Sequence, residues 1–485
     1  MGKKWFIYRS VEEFAEDVNR LGVEVPMDAG RSAMFRPVRI GRLAPGNAWA
    51  IHPMEGCDGA ADGAPDELTY RRYRRFGAGG AKLIWGEATA ITLDARANPR
   101  QLAISEGTAG ALGRMLEETR RAHRETFGRD DDLVVGLQLT HSGRYSLRPV
   151  IAQHDPALDP ATFVDRKRGL TVTPDHPLIT DDELERLEDR YVEAARMVAR
   201  LGYDFVDIKQ CHRYLMNELL SGRDRPGRYG GSFENRTRFA RNVFGKIRDA
   251  VGDRLVLATR LNVFDGVPFT NDPQSNIGVP RPHPLPYRWG WGVNMDGPLE
   301  PDFTEPLRYV GLLRDWGVAL IDVSMGSPYS NYYLLRPFDT PSWNGYDSPE
   351  HPLIGVDRHF RATEIIQRAY PDLAIVGSGY SWLRHFMADV AEANLKRGRV
   401  TMVGVGRGAL AYPDWVKDLM EKGAMERRNV CITVSDCTTL MRWKHNPQGQ
   451  YPTGCVPRDK VYAEIYREGR KALEQQEPLP VKSFA

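Results

Sequence analysis

One unit recurs along this chain: an amphipathic helical stretch, a turn, then a short apolar run. DELTYRRYRRFGAGG leads into AKLIWGEA, TAGALGRMLEETRRAHRETFG into DDLVVGLQL, and DDELERLEDRYVEAARMVARLG into YDFVDIK. The stretch around FENRTRFARNVFGKIRDAVG precedes DRLVLATR, LRYVGLLRDWG precedes VALIDVS, HFRATEIIQRAYPD precedes LAIVGSG, and FMADVAEANLKRG precedes RVTMVGVG. A glycine at most of these junctions suits the left-handed residue that closes a helix. The apolar runs are continuous rather than alternating, as in a parallel sheet covered on both faces. With AWAIHPMEG at the front, eight strands are centred near Ile51, Trp85, Leu137, Val206, Leu257, Ile321, Ile375 and Val403, and YPDWVKDLMEKG supplies an eighth helix. This alternation predicts an α/β fold, a (β/α)8 TIM barrel. An open doubly wound sheet is the alternative, disfavoured because there is no second nucleotide-binding half.

The barrel is expected over residues 1–425, with a C-terminal extension over 426–485 packed on it. Long connections follow strands three, five and six, about Ser142 to Thr180, Val263 to Asp302 and Met325 to Asp357. Strand-to-helix connections lie at the C-terminal mouth, where barrels do chemistry. These loops carry Trp289, Trp291, Tyr329, Tyr332, Tyr333 and Trp343. They read either as self-packing surface loops or as a lid that keeps water from a pocket.

Charge and composition narrow the partners. A formal net charge of +2 offers no global attraction to nucleic acid or acidic lipid. No run of 18 apolar residues is present, and the N-terminal stretch lacks an apolar signal region. Five cysteines do not make a disulfide scaffold and fit a reducing compartment. The expectation is a cytoplasmic protein acting on a small molecule, with its oligomeric state open.

Candidate site residues lie at the strand ends. Strand seven ends in Gly377-Ser378-Gly379 and strand eight in Gly404-Val405-Gly406-Arg407-Gly408, so backbone N–H groups and a guanidinium could meet a phosphate. Gly404-x-Gly406-x-x-Ala409 also matches a short dinucleotide pattern, but no acidic residue ends a further strand about 20 residues on. Gln138, ending strand three, suits the pyrimidine edge of a flavin or nucleobase, or a backbone partner inside the barrel. Arg260, inside an apolar strand, needs an anionic or carbonyl partner, either a structural carboxylate or the N1–C2=O region of a flavin. Strand four carries Lys209, His212 and Tyr214, three proton-bearing groups suited to general acid/base work if the chain turns after Lys209.

Together and in order, these residues resemble the old yellow enzyme family of FMN-dependent oxidoreductases, over roughly residues 35 to 460. The most specific stretch is His212-Arg213-Tyr214-Leu215 followed by Arg228-Tyr229-Gly230-Gly231-Ser232-Phe233-Glu234-Asn235-Arg236. Pro53-Met54-Glu55-Gly56, Gly86-Glu87-Ala88 and Gln138-Leu139-x-His141-x-Gly143-Arg144 fall in the family's order. The resemblance implies noncovalent FMN, with Pro53, Met54, Ala88 and Gln138 around the ring and Arg260 near N1. Glu55 stands where some amine-oxidising relatives tether FMN to a cysteine. Ser378, Gly406 and Arg407, with Gly377 and Gly404 at the same strand ends, would hold the phosphate. It further implies NADH or NADPH as donor, Lys209 and His212 gripping a substrate carbonyl, and Tyr214 as the acid.

Lys209 departs from the commonest family pattern. It would favour a carboxylate-bearing or strongly polarised substrate and is expected to lower the Tyr214 pKa. Thr140, where many relatives carry an aromatic, implies a wider pocket. Cys431, Cys437 and Cys455 fall where larger relatives bind a [4Fe–4S] cluster with four cysteines. Val434 replaces one ligand, and the chain ends at Ala485 without room for those relatives' second flavin domain, so no intact cluster is expected. Reduction of an activated C=C bond is the leading expectation. Oxidation of an amine or saturated carbonyl compound, and flavin binding without turnover, are the alternatives.

Overall fold

The computed structural model describes residues 4–475. Eight parallel strands close into a barrel: β1 (Trp49–Ile51), β2 (Leu83–Ala90), β3 (Val134–Thr140), β4 (Phe205–Ile208), β5 (Val256–Phe264), β6 (Val318–Met325), β7 (Ala374–Gly377) and β8 (Met402–Val405). Neighbours in sequence are neighbours in space, and β1 pairs with both β2 and β8 to complete the ring. All but one strand residue, Ala319, is buried, as the continuous apolar runs require.

The helices begin and end where their local chemistry dictates. Thr180 and Glu183 form a reciprocal capping box ahead of helix Asp181–Arg200, and Ser105 caps helix Glu106–Phe127. Gly128, at φ 74°, closes the latter in the left-handed region. The stretch expected as one helix after β4 is two, Phe233–Arg236 and Arg238–Val251, separated by the single residue Thr237.

The barrel interior is layered. At the N-terminal end, the Ile40–Leu43 turn plugs the ring, packing with Ala50, Leu83, Trp85 and Phe205. Higher up sits a polar layer in which Asp207 accepts from Trp85 Nε1 (2.7 Å) and from the Arg260 amide (2.8 Å). Burial pushes the Asp207 carboxyl up to about 6.

At the opposite end, the long loops are cross-linked. Asp265 accepts from Asn262 (2.7 Å) and Trp291 N (3.0 Å) and lies 3.4 Å from Arg213. The Asn331 amide donates to Asp265 O (2.6 Å) and Val267 O (2.9 Å), tying the loop after β6 to the loop after β5. Two short ribbons, Phe163–Asp165 with Leu170–Thr171 and Phe269–Asn271 with Gly278–Pro280, rise from the loops after β3 and β5. Beyond the barrel, helix Asp436–Arg442 borders the mouth, and helix Lys460–Gln475 packs around Trp443, Tyr451 and Tyr462.

Candidate active site

A cavity of about 800 Å³ opens at the C-terminal mouth, a volume in the range of sites that enclose a small organic ligand. Strand ends form its floor, the loops after β5 and β6 its walls, and residues 437–453 of the extension part of its roof.

The strand-four turn supplies the proton-bearing groups. Lys209 N still donates to Leu139 O (3.1 Å), after which His212 (φ 67°) and Arg213 (φ 61°) both take left-handed backbone. Two such residues in succession cost on the order of 1–3 kcal/mol each, and surrounding contacts must hold them. Arg213 N donates to Asn217 Oδ1 (2.7 Å), and its guanidinium donates to Trp289 O, Gly266 O (3.2 Å) and Tyr287 OH (3.0 Å). Leu215 N donates to His141 O (3.3 Å). Thus Arg213 clamps a strained turn that presents His212 and Tyr214 to the cavity.

The hydroxyls of Tyr214 and Tyr329 lie 2.8 Å apart, and Tyr214 OH is 3.3 Å from Glu55 Oε1. Lys209 Nζ is 3.8 Å from the centre of the Tyr214 ring and 3.6 Å from Glu55 Oε1. Burial first, and then the Glu55 charge, raise the Tyr214 pKa well above its ordinary value. The expected lowering by Lys209 is therefore overturned: the lost hydration of a phenolate and the neighbouring carboxylate outweigh one ammonium. Tyr214 stays protonated. Burial, followed by Lys209 and Arg260, drives the His212 pKa well below its ordinary value, so its imidazole is neutral. A neutral imidazole carries one N–H donor; His212 Nε2 lies 3.3 Å from Ser324 Oγ.

On the floor, Arg260 lies 3.2 Å from Asp322 Oδ2 and donates to Pro53 O (3.3 Å). His52 bridges Asp322 (2.9 Å) and Ser378 Oγ (3.3 Å). A Cβ on Gly404 would fall 2.1 Å from the His52 ring, so glycine is what lets that ring lie flat against β8. Gly377 packs toward Val400 and Thr363 instead.

At the far wall, Arg336 and Arg407 gather, with Arg442 near enough to act on Arg336, and none of the three has a carboxylate partner among the described residues. Arg407 Nη2 donates to Pro337 O, while its Nη1 and the Arg336 Nε are buried without a hydrogen-bond partner. Burial first, then Arg407 and Arg442, pull the Arg336 pKa down to about 9. Clustered guanidiniums with orphaned donors are the complement of a phosphate dianion. Together with the cavity volume and the Arg260 fork on the floor, this donor set fits FMN.

Pro53, Met54, Glu55, Ala88, Lys209, His212, Tyr214, Arg260, Ser378, Gly404, Gly406 and Arg407 all line the cavity; Gln138 and Gly377 do not. The Gln138 amide donates to Asp207 (2.5 Å), below the floor, and Thr140 is buried away from the cavity as well. Of the loop aromatics, Tyr329 and Tyr332 line the cavity, whereas Trp291 packs against Tyr309. Glu87 accepts from Gly56 N (2.7 Å) and pairs with Arg72, which fixes the turn after β1. Sequence reasoning missed His52, Arg336 and Arg442, because the groups they meet lie far away in the chain: Asp322 for His52, Arg407 for Arg336 and Pro328 O for Arg442. The Cys431, Cys437 and Cys455 thiols converge with Val434 and Arg407 on a small void of about 20 Å³. Among the described residues, no group of three or more His, Cys, Asp or Glu side chains has metal-site geometry.

Comparison with known proteins agrees with this arrangement. The NADH:flavin oxidoreductase / NADH oxidase family pattern matches residues 33–274. An NADPH dehydrogenase of Clostridium acetobutylicum is 31% identical over 307 residues, covering 63% of this chain and 77% of that protein. A dimethylamine dehydrogenase of Hyphomicrobium is 26% identical over 297 residues, 59% of this chain but 32% of that longer protein. Among solved structures, an old yellow enzyme homologue from Zymomonas mobilis superposes with a TM-score of 0.56 at 20% identity, covering 86% of this chain and 98% of its own. A 2-naphthoyl-CoA reductase gives 0.63 at 18% identity, covering 90% of this chain and 58% of its own. Barrel, strand-four turn and sequence likeness agree: the chain belongs to the NADH:flavin oxidoreductase / NADH oxidase family.

Proposed function

We propose that this protein is an FMN-dependent oxidoreductase that uses NADH or NADPH to reduce a carbon–carbon double bond activated by an electron-withdrawing group. The observation that carries the reading is a Tyr214 hydroxyl held protonated beside Lys209 and His212, in the cavity that also contains the cationic cradle. Bound FMN would supply the two-electron chemistry, taking reducing equivalents from the pyridine nucleotide and passing them to the substrate's β-carbon. Arg336 and Arg407 would hold its phosphate noncovalently, and Arg260 would stabilise negative charge on its ring. The Cys57 thiol, pushed up to about 12 by burial and then by Glu55, stays protonated and offers no ready nucleophile for a covalent tether.

Within this reading, Lys209 and neutral His212 bind the carbonyl oxygen and stabilise charge developing there. Tyr214 delivers its proton to the α-carbon, and Tyr329, 2.8 Å away and partly exposed, connects it to solvent for reprotonation. The C-terminal extension over residues 426–475 acts as part of the barrel rather than as an independent unit, a reading that its cavity-lining residues between 437 and 453 support. No helix among the described residues is long and apolar enough to cross a membrane; the free thiols support a cytoplasmic setting.

Anaerobic rapid mixing tests the proposal. NADH or NADPH should bleach the FMN-loaded protein, and 2-cyclohexenone or a nitroalkene should restore its colour. Bleaching only by an amine or a saturated carbonyl compound would show the reverse physiological direction, and no bleaching by any donor would reduce the protein to a flavin carrier.

A further inference from the structure

The cavity wall is electrically lopsided. Eight Arg and Lys side chains line it against one carboxylate, Glu55. Four of the eight have a counter-charge already assigned. Arg260 pairs with Asp322 (3.2 Å) and Lys209 with Glu55 (3.6 Å). Arg336 and Arg407 face the space assigned above to a phosphate, which carries about two negative charges at neutral pH.

The other four stand at the rim: Arg166, Arg281, Arg442 and Lys444. None pairs with a carboxylate among the described residues. Arg442 donates to Ser342 Oγ (2.9 Å), Asn344 Oδ1 (2.8 Å) and Pro328 O (3.0 Å), all neutral acceptors. Lys444 donates to Met441 O (3.4 Å) and Gln450 Oε1. Arg281 Nε donates to Phe269 O (3.3 Å), and Arg166 lies over the Phe163 ring at 5.4 Å. Elsewhere, structural arginines of this chain find acids: Arg144 meets Glu218 and Asp159, and Arg236 meets Glu305.

Convergence makes this more than a charged surface. Arg166 comes from the ribbon after β3, Arg281 from the ribbon after β5, and Arg442 and Lys444 from the extension. Three segments far apart in sequence bring like charges to one opening, which costs free energy unless an anion joins them. Burial lowers the pKa of Arg442 and of Arg281, so part of that cost is desolvation.

We infer that the rim of Arg166, Arg281, Arg442 and Lys444 is a binding site for an anionic group, a carboxylate or phosphate, carried by the organic substrate whose unsaturated end reaches Lys209, His212 and Tyr214. The identity of the bound molecule as a reducible substrate rests on the proposed oxidoreductase activity; the anion site does not. Neutral enones would still react but bind more weakly than anionic ones, and the affinity for anionic ones would depend on salt because the rim is open to water.

The test compares (E)-4-oxo-2-pentenoate with its methyl ester, binding to the oxidised FMN-loaded protein being followed by calorimetry. At low ionic strength the carboxylate should bind at least about tenfold more tightly, roughly 1.4 kcal/mol, and 0.5 M salt should remove most of the difference. The Arg166→Gln/Lys444→Gln variant, altered only at exposed positions, should lose about tenfold in carboxylate affinity and leave the ester within about twofold. Equal binding of acid and ester, or equal weakening of both in the variant, overturns the proposal. A second arm separates substrate from nucleotide as the source of the anion: flavin reduction by NADPH is compared with reduction by 1-benzyl-1,4-dihydronicotinamide, which has no phosphate. A variant slowed only with NADPH, its preference for acid over ester intact, assigns the rim to the nucleotide and refutes the substrate assignment. Should no alkene reoxidise the reduced protein while the carboxylate preference persists, the oxidoreductase reading fails and the anion site stands.

Discussion

Replacing Arg336 with methionine should have opposite effects on the empty and loaded protein. In the apoprotein, this guanidinium is half-buried, its Nε is orphaned, and Arg407 and Arg442 repel it. A fall from 12.5 to about 9 sets an upper bound of roughly 5 kcal/mol against the charged form, at about 1.4 kcal/mol per pKa unit. Water in the half-open cavity screens this to on the order of 1–3 kcal/mol. At pH 7 both the folded and the unfolded chain carry this charge, so the cost is full there. Arg336→Met apoprotein should therefore melt about 1–4 °C above wild-type apoprotein at pH 7. FMN reverses the sign. Losing one charge-assisted contact to a phosphate costs about 1.5–3 kcal/mol, so the FMN dissociation constant should rise roughly 10- to 150-fold. Fluorescence titration of apoprotein with FMN and thermal scans with and without FMN read both quantities. A variant that melts lower than wild type without FMN, or that binds FMN with wild-type affinity, refutes the assignment of this cluster to the phosphate.

Tyr214→Phe should slow reoxidation of the reduced protein by an alkene about 10²- to 10⁴-fold while leaving reduction by the pyridine nucleotide within about twofold; stopped-flow measurement of each half-reaction checks this, and equal losses would remove Tyr214 from the acid role. In the wild type, the raised Tyr214 pKa should leave alkene reduction free of any alkaline loss from this group up to pH 10. His141 has its pKa lowered to about 4 by burial, and its Nδ1 accepts from Gly143 N (3.1 Å). The unfolded chain takes up this proton first, so its contribution to stability falls as pH drops from about 6.5 to about 4, by roughly 3 kcal/mol in all. His141→Asn, which cannot titrate, should lack that component, and denaturant unfolding across this pH window would expose parallel pH profiles if the reasoning is wrong.

Much of the architecture is local and hence legible in a single chain. Continuous apolar runs such as Leu133–Val135 and Val318–Ile321, together with caps such as Thr180 and Gly128, dictate strands and helix ends through neighbours a few residues away. The repeated alternation then leaves a closed parallel barrel as the natural way to cover both faces of the sheet. Lys209, His212 and Tyr214 were equally visible, because three proton-bearing groups crowd one strand end. Their states were not. Whether Tyr214 gains or loses acidity depends on Glu55, 159 positions away in sequence, and on burial that no local pattern encodes.

The sequence by itself determined the order of strands and helices, the mouth as the place of chemistry, and the residue types held there. Only the tertiary structure decided that Gln138 turns to Asp207, that His52 joins Asp322 and Ser378, and that Arg336 and Arg442 complete a cationic wall around Arg407. The physical reason is range. Helix caps and strand periodicity act within a turn or two of backbone, whereas desolvation and Coulomb forces add up over every group brought within several ångströms, whatever its place in the chain.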